Sequence, residues 1–207
     1  MGLMVDSHMK LAERISLVLS APMLAFLAVV IFSSISPIGV GPFLSELTSM
    51  MLGMLFLSIL PILPVLYYAR KGIVDIDVSD RRMRPKLFGM AILGYSLGAI
   101  SFYFLEGTSL MVLSAAYVCV TSTVAIVSFF WKISVHTAGI AGPVTGLTYV
   151  FGWIAALLYL LLLPVAWARL KLKAHSFMQV FSGSIAAVLV TFAVYLFLYP
   201  APPRSWF

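Results

Sequence analysis

The sequence predicts an all-α integral membrane protein, a bundle of six to seven transmembrane helices of which two are short. Of the 207 residues, 62% are hydrophobic and only 10% are charged, so too few charged side chains exist to cover a soluble globule. Apolar runs long enough to cross a bilayer recur along the chain. No change of composition marks a second unit, so we expect residues 1–207 to form a single polytopic membrane domain.

Most of the spans are predicted from single apolar runs of about 20 residues, the length that crosses the hydrocarbon core. These runs are Ile15–Pro37, Leu47–Ala69, Leu87–Leu105, Leu110–Trp131 and Ser176–Tyr199. We expect Pro61 and Pro64 to kink the second of them, because proline removes a helical hydrogen bond. Gly94-x-x-x-Gly98 is interpreted as a close-packing motif between helices.

The apolar stretch Thr137–Ala168 is too long for one helix. Its 32 residues would extend about 48 Å as an α-helix, against a hydrocarbon core of about 30 Å. The tripeptide Phe151-Gly152-Trp153 is the predicted break, which leaves two short helices. The first of them carries a second packing motif, Gly142-x-x-x-Gly146.

Splitting this stretch decides the predicted topology. With seven helices, the segments 70–86, 132–136 and 169–175 share the side of the N-terminus. That side then carries twelve of the 13 Lys and Arg residues, and Arg204 alone lies opposite. The positive-inside rule assigns the basic side to the cytoplasmic face of the cell membrane. We therefore attribute the net charge of +6 to topology, and we expect no nucleic-acid partner.

The same three segments carry the residues suited to chemistry. Arg84 and Arg169 can grip phosphate oxygens in bidentate geometry, and Lys173 adds a cation. Two histidines, His136 and His175, provide a candidate nucleophile and a candidate general acid. This combination predicts a phosphoryl-transfer site, and the absence of a His/Asp/Glu cluster with ligand spacing predicts no metal and no other cofactor.

Gln179 follows His175 by four residues at the beginning of the last predicted span. The two side chains therefore share a helix face, where the amide can accept the imidazole N–H and set its tautomer. Gly183, one turn further, would permit close helix packing there.

In order along the chain, these segments resemble the three motifs of the type-2 phosphatidic acid phosphatase superfamily, the lipid phosphate phosphatases. Arg84-Pro85 resembles the end of the first motif, and Ser134-Val-His136-Thr137-Ala138 resembles the second. Arg169-x5-His175-x3-Gln179 resembles the third. The resemblance covers about residues 70–190.

The resemblance implies metal-independent removal of phosphate from a lipid phosphate or diphosphate, with a polyprenyl or glycerolipid tail. It implies that His175 attacks phosphorus to form a phosphohistidine, that His136 protonates the leaving group, and that Gln179 occupies the orienting position. The residues expected to hold the phosphate are Arg84, Arg169, Ser134, Arg81 and Lys173. The expected partners are the bilayer and the lipid substrate, and the sequence leaves the oligomeric state open.

Three departures from the family pattern leave an alternative open. Asp77 stands where the family has a lysine, and Ile133 and Val135 replace a proline and a glycine. Gln179 replaces a carboxylate, and an amide supplies no charge to stabilise an imidazolium. The alternative is a non-catalytic member that binds lipid phosphate headgroups.

The aspartate-rich loop suggests a further, less favoured class, the membrane prenyltransferases. Asp75, Asp77 and Asp80 are suited to Mg²⁺ and a diphosphate. Such enzymes need a second acidic motif, yet the 101 residues after Glu106 contain no acidic residue. A transporter is also less favoured, because no charged residue lies deep inside a predicted span.

Overall fold

The structure, a computed structural model, describes residues 2–76, 78, 80 and 82–200. These residues form eight helices and no strand, which confirms the predicted all-α class, although the sequence predicts six to seven helices. The helices are α1 (Gly2–Val18), α2 (Ala21–Ile35), α3 (Glu46–Arg70), α4 (Arg84–Phe104), α5 (Thr108–Phe130), α6 (Val135–Phe151), α7 (Trp153–Lys171) and α8 (Phe177–Leu198).

Five of these helices, α3, α4, α5, α7 and α8, are long and apolar enough to cross a membrane. The pair α1–α2 passes the same test when it is taken together, with a bend of 42° between its two parts. The length and composition of these helices indicate a membrane protein.

The predicted first run, Ile15–Pro37, is not one continuous helix. It is divided where α1 ends at Val18 and α2 begins at Ala21. Ser20 between them has an extended backbone, with φ −77° and ψ 159°. Pro22 lies in the first turn of α2 and has no N–H to continue the ladder of α1, so the break has a local cause.

Helix α3 continues through both of its prolines instead of breaking at them. The irregularity lies just before them, as a π-helical turn over Leu55–Ile59 in which the Leu60 N–H reaches the carbonyl of Leu55. A π turn lets a helix absorb a locally disturbed hydrogen-bond ladder without ending.

The predicted break after Phe151 is confirmed. Gly152 has φ +76°, a left-handed conformation that favours glycine, and α7 begins at the next residue. Helix α7 includes a 3-10 segment and extends to Lys171, three residues beyond the predicted end at Ala168.

Helix α6 is the centre of the bundle and packs against α2, α5, α7 and α8. Thirteen of its 17 residues are buried. Its glycines allow this: a Cβ at Gly139 would collide with Ala21 of α2, and one at Gly146 would lie 2.6 Å from the Tyr195 hydroxyl of α8. The packing interpretation of Gly142-x-x-x-Gly146 is thereby confirmed.

Candidate active site

The three polar segments converge at the end of the bundle where α4, α6 and α8 begin. Arg84, the first residue of α4, is only 1% exposed. Its Nε donates to the Val78 carbonyl at 2.9 Å and one terminal nitrogen donates to the Ile133 carbonyl at 3.1 Å. One guanidinium therefore joins the loop before α4 to the segment that precedes α6.

The first turns of α6 and α8 lie side by side. The Ser134 N–H donates to the Gln179 carbonyl at 3.1 Å, and the Thr137 hydroxyl donates to the Val180 carbonyl at 3.0 Å. A Cβ at Gly183 would lie 2.5 Å from the Ser134 carbonyl oxygen, so the close approach requires glycine. This contact brings the His136 segment next to the His175 segment.

His175 and Gln179 form the expected contact, with imidazole Nδ1 3.2 Å from the amide Oε1. The same oxygen accepts the Ser176 N–H at 3.1 Å, which identifies it as the oxygen and not the amide nitrogen. Because Oε1 can only accept, Nδ1 carries the proton. The other ring nitrogen, Nε2, is then left with its lone pair.

Gln179 also has a structural role at the beginning of α8. Its backbone N–H donates to the Ser176 hydroxyl at 3.4 Å, and its side chain accepts the Ser176 N–H, which together form a capping box. The residue that orients the imidazole is therefore held by the helix terminus itself.

The environment of His175 is buried and positively charged. The side chain is 6% exposed, and its pKa is lowered from 6.5 to about 3 by all of its surroundings together, with burial the largest cause. Arg169, Arg84 and Lys132 also lower the pKa, while the hydrogen bond with Gln179 opposes them. The imidazole is consequently neutral at neutral pH, and its surroundings favour an anion.

Arg169 is 1% exposed in the last turn of α7, and it donates to the Ser16 hydroxyl of α1 at 2.7 Å. Ser16 is a contact that the sequence analysis missed, because it lies 153 residues away in a mostly apolar run. Lys132 belongs to the second polar segment but is not among the residues expected to hold the phosphate. Its position two residues before Ser134 could have marked it as part of the site.

The other predicted residues have varied positions. Ser134 is fully buried, and its hydroxyl caps α6 by accepting the Thr137 N–H at 3.4 Å. His136 lies in the first turn of α6 instead of just before a helix. Lys173 is exposed in the turn after α7, with φ +51°.

The aspartate-rich loop is only partly described. Arg81, Asp77 and Ser79 lie outside the described residues. Asp80 is exposed, and its carboxylate accepts the Arg82 N–H at 2.9 Å. Within the part of the chain that is described, no three His, Cys, Asp or Glu side chains form a group that could hold a metal ion.

A cavity of about 820 Å³ opens at this site. Polar and charged side chains lie at one end of it, among them Arg84, His136, His175, Glu13 and Asp75. From there the cavity follows α4 to Tyr95, 11 residues from Arg84, which is about 16 Å at 1.5 Å per residue. That depth is close to half of the about 30 Å hydrocarbon core. The cavity therefore has the polarity and length of an amphiphile.

No protein-family model, curated protein or solved structure matches this chain.

Proposed function

We propose that this protein is a membrane-embedded phosphatase that removes phosphate from a lipid phosphate or diphosphate through a phosphohistidine on His175. One observation carries the proposal: a neutral histidine and a buried arginine line the polar end of an apolar cavity, and two further cations act on that histidine. The resemblance of the three segments to the type-2 phosphatidic acid phosphatase motifs supports it.

The positive charges around His175 favour a phosphate as the headgroup of the proposed substrate. Arg84 and Arg169 are each 1% exposed, so two guanidinium groups are held inside the protein close to His175. Together with Lys132 they set a positive potential at His175. A phosphate dianion matches both the charge and the forked geometry of guanidinium donors.

The tautomer of His175 suits nucleophilic attack. Nε2 would attack phosphorus with its lone pair, and the bond from phosphorus to the leaving oxygen would break. His136, which lines the same cavity, would donate the proton that this oxygen needs. Water would then attack the phosphohistidine, His136 would take a proton from it, and phosphate would leave with His175 neutral again.

The proposal includes seven membrane crossings, with the N-terminus and the site on the cytoplasmic side. The pair α1–α2 would make the first crossing, and α3 to α8 would make the other six. The basic residues on one side support this orientation, as does the convergence of the three polar segments.

A lipid would reach the cavity sideways. The cavity lining includes Leu17 and Met23 near the α1–α2 bend and Val65 of α3. In the described structure, the half of α3 from Leu60 to Arg70 packs on α4 and not extensively on α1 or α2. A tail could therefore pass between α3 and the α1–α2 bend while it remains in the bilayer.

A second candidate, a non-catalytic receptor for lipid phosphates, is favoured by the orienting group. Gln179 is an amide, and the three charges that lower the pKa of His175 are all positive. Among the described residues, none of the side chains that act on the pKa of His175 is an anion that could stabilise an imidazolium. Tight headgroup binding without turnover would fit that electrostatics.

The deciding experiment measures phosphate release by the purified protein from a panel of lipid phosphates and diphosphates, with EDTA present. We expect turnover that His175→Ala abolishes and an acid-labile phosphoenzyme that the variant lacks. His8→Ala is the matched control, since His8 is exposed on α1. Absent turnover, with binding that Arg169→Ala weakens, would favour the receptor.

A further inference from the structure

The deep end of the cavity is closed by two tyrosines. Tyr95 of α4 and Tyr117 of α5 both line it, with ring centroids 5.0 Å apart and planes tilted by 35°. They are 8% and 7% exposed. Along α4, Tyr95 is the last residue that lines the cavity.

Beyond these rings α4 packs closely on α3, and Leu113, one turn before Tyr117 on α5, is the deepest residue of α5 that lines the cavity. Gly98, one turn after Tyr95, lies so close to α3 that an added Cβ would be 2.8 Å from the Cβ of Phe56. Phe102, a turn further, is fully buried in the core. The floor of the cavity is therefore formed by the tyrosine pair, with the fully buried Leu113 behind it.

We propose that Tyr95 and Tyr117 set the longest hydrocarbon chain that this site accepts, so that its substrates are single-chain amphiphiles with a phosphate head. The inference rests on the proposed function for the headgroup alone. The length limit does not depend on the headgroup. The distance available to a chain between Arg84 and the floor is about 16 Å, the depth of one bilayer leaflet.

The volume supports a single chain. About 820 Å³ falls within the roughly 300–1,000 Å³ of pockets that enclose a drug-sized ligand. One chain and its head match that size, whereas a two-tailed lipid would leave one tail outside the cavity. An isoprenoid chain and a straight alkyl chain are both single apolar chains that could fill the cavity. The experiment below distinguishes them by comparing prenyl phosphates with alkyl phosphates.

Ala91 offers a way to move the floor without opening a void. It lies one turn before Tyr95 on α4 and lines the same cavity. A leucine there would shorten the usable depth by about one helical turn, roughly 5 Å. Tyr117→Phe is the matched control, since it keeps the ring and removes a hydroxyl that has no hydrogen-bond partner among the described residues.

The experiment measures Kd for a series of alkyl phosphates and prenyl phosphates of increasing length, and for the matching alcohols, on the purified full-length protein. We expect affinity to rise about fourfold per methylene, from about 0.8 kcal/mol per buried methylene, and to stop rising at one length. Tyr95→Ala should move this limit to longer chains, Ala91→Leu should move it to shorter chains, and Tyr117→Phe should leave it unchanged.

The outcomes separate this inference from the proposed function. An unchanged limit in both Tyr95→Ala and Ala91→Leu overturns the floor even if the phosphates bind well. If Tyr95→Ala fails to fold, Ala91→Leu decides alone. A limit that shifts as expected, while phosphates bind no tighter than their alcohols, confirms the floor and overturns the phosphate site.

Discussion

At the scale of single residues, the site is defined by a buried histidine that three cations act on. His175 is kept neutral by burial and by three cations, and its tautomer is set by one amide oxygen. In the lipid phosphatase motif that this segment resembles, a carboxylate would do that work. Because this chain has the uncharged Gln179 at that position, the imidazole has less support for the positive charge that it would gain in the proposed transition state.

Gln179→Glu should raise turnover. Glutamate keeps the length needed to accept the Ser176 N–H and adds the missing charge, whereas aspartate is one methylene shorter. The gain is bounded by the about 10⁴ that an acid-to-amide change costs in a serine-protease triad. Steady-state phosphate release from Gln179→Glu, Gln179→Asp and the unmodified protein checks this. Equal rates in all three would show that the orienting charge does not limit the reaction.

Ser16→Ala should weaken binding of the phosphate headgroup roughly tenfold, because hydrogen bonds to charged groups contribute about 1.5–3 kcal/mol. The Ser16 hydroxyl accepts a hydrogen bond from Arg169 at 2.7 Å, so its loss removes one of the contacts that position the guanidinium. Ser184→Ala, which removes a hydroxyl bonded within α8, is the control. Equal Kd values for a soluble alkyl phosphate in the two variants would contradict a positioning role.

The lowered pKa of His175 also predicts a pH dependence of stability. In the unfolded chain the imidazole takes up a proton near pH 6.5, whereas the folded site resists protonation down to about pH 3. The contribution of His175 to stability is complete above pH 6.5 and is lost as the pH falls from 6.5 to about 3. Thermal unfolding at several pH values should show that acidification lowers the Tm of His175→Gln less than the Tm of His8→Gln.

At the scale of helices, the contact between the beginnings of α6 and α8 assembles the site. Ser134, Thr137 and Gly183 form it through backbone carbonyls and one hydroxyl. Small displacements there would separate the two histidine segments, since neither α6 nor α8 alone carries both.

Gly183→Ala should therefore reduce activity strongly and destabilise the fold by about 1–3 kcal/mol, the usual cost of overpacking. The added methyl would lie 2.5 Å from the Ser134 carbonyl oxygen. Gly89→Ala is the matched control, because a Cβ at this helical glycine meets nothing within 4 Å. Thermal unfolding in detergent and phosphate release, measured on both variants, test the difference.

At the scale of the whole molecule, the chain returns repeatedly to one polar end. Two hydrogen bonds there join distant parts of the sequence. Arg84 donates to the Ile133 carbonyl, and Arg169 donates to the Ser16 hydroxyl. At the other end, the Ser36 and Ser109 hydroxyls lie 2.6 Å apart. The fold thus carries the buried Arg84 and Arg169 at one end, whereas the acidic Glu46 and Glu106 are exposed at the other.

Labelling of introduced cysteines should assign both ends to membrane faces. Cys119 is exposed on α5 and must first be replaced by serine. Lys71→Cys and Lys171→Cys should then label from the cytoplasmic face, and Ile38→Cys should label from the opposite face. Labelling of Lys71→Cys and Lys171→Cys from different faces would exclude a site shared by their segments.

The sequence alone was sufficient for the helical class, for most helix positions and for the break at Gly152. These depend on local physics: apolar runs must form helices where no water can satisfy the backbone, and glycine permits a positive φ. The convergence of the polar segments also followed, because two helices separate each polar segment from the next and return the chain to the same end. The contact of His175 with Gln179 could also be predicted, because residues four positions apart share a helix face.

The tertiary structure alone decided the rest. The contact of Ser16 with Arg169 and the cavity floor at Tyr95 and Tyr117 leave no periodic signal in the chain. Each depends on which helices become neighbours, and in a bilayer every apolar face looks equally suited to lipid or to protein. Packing of small residues selects the neighbours, so the cavity exists only once the helices are assembled.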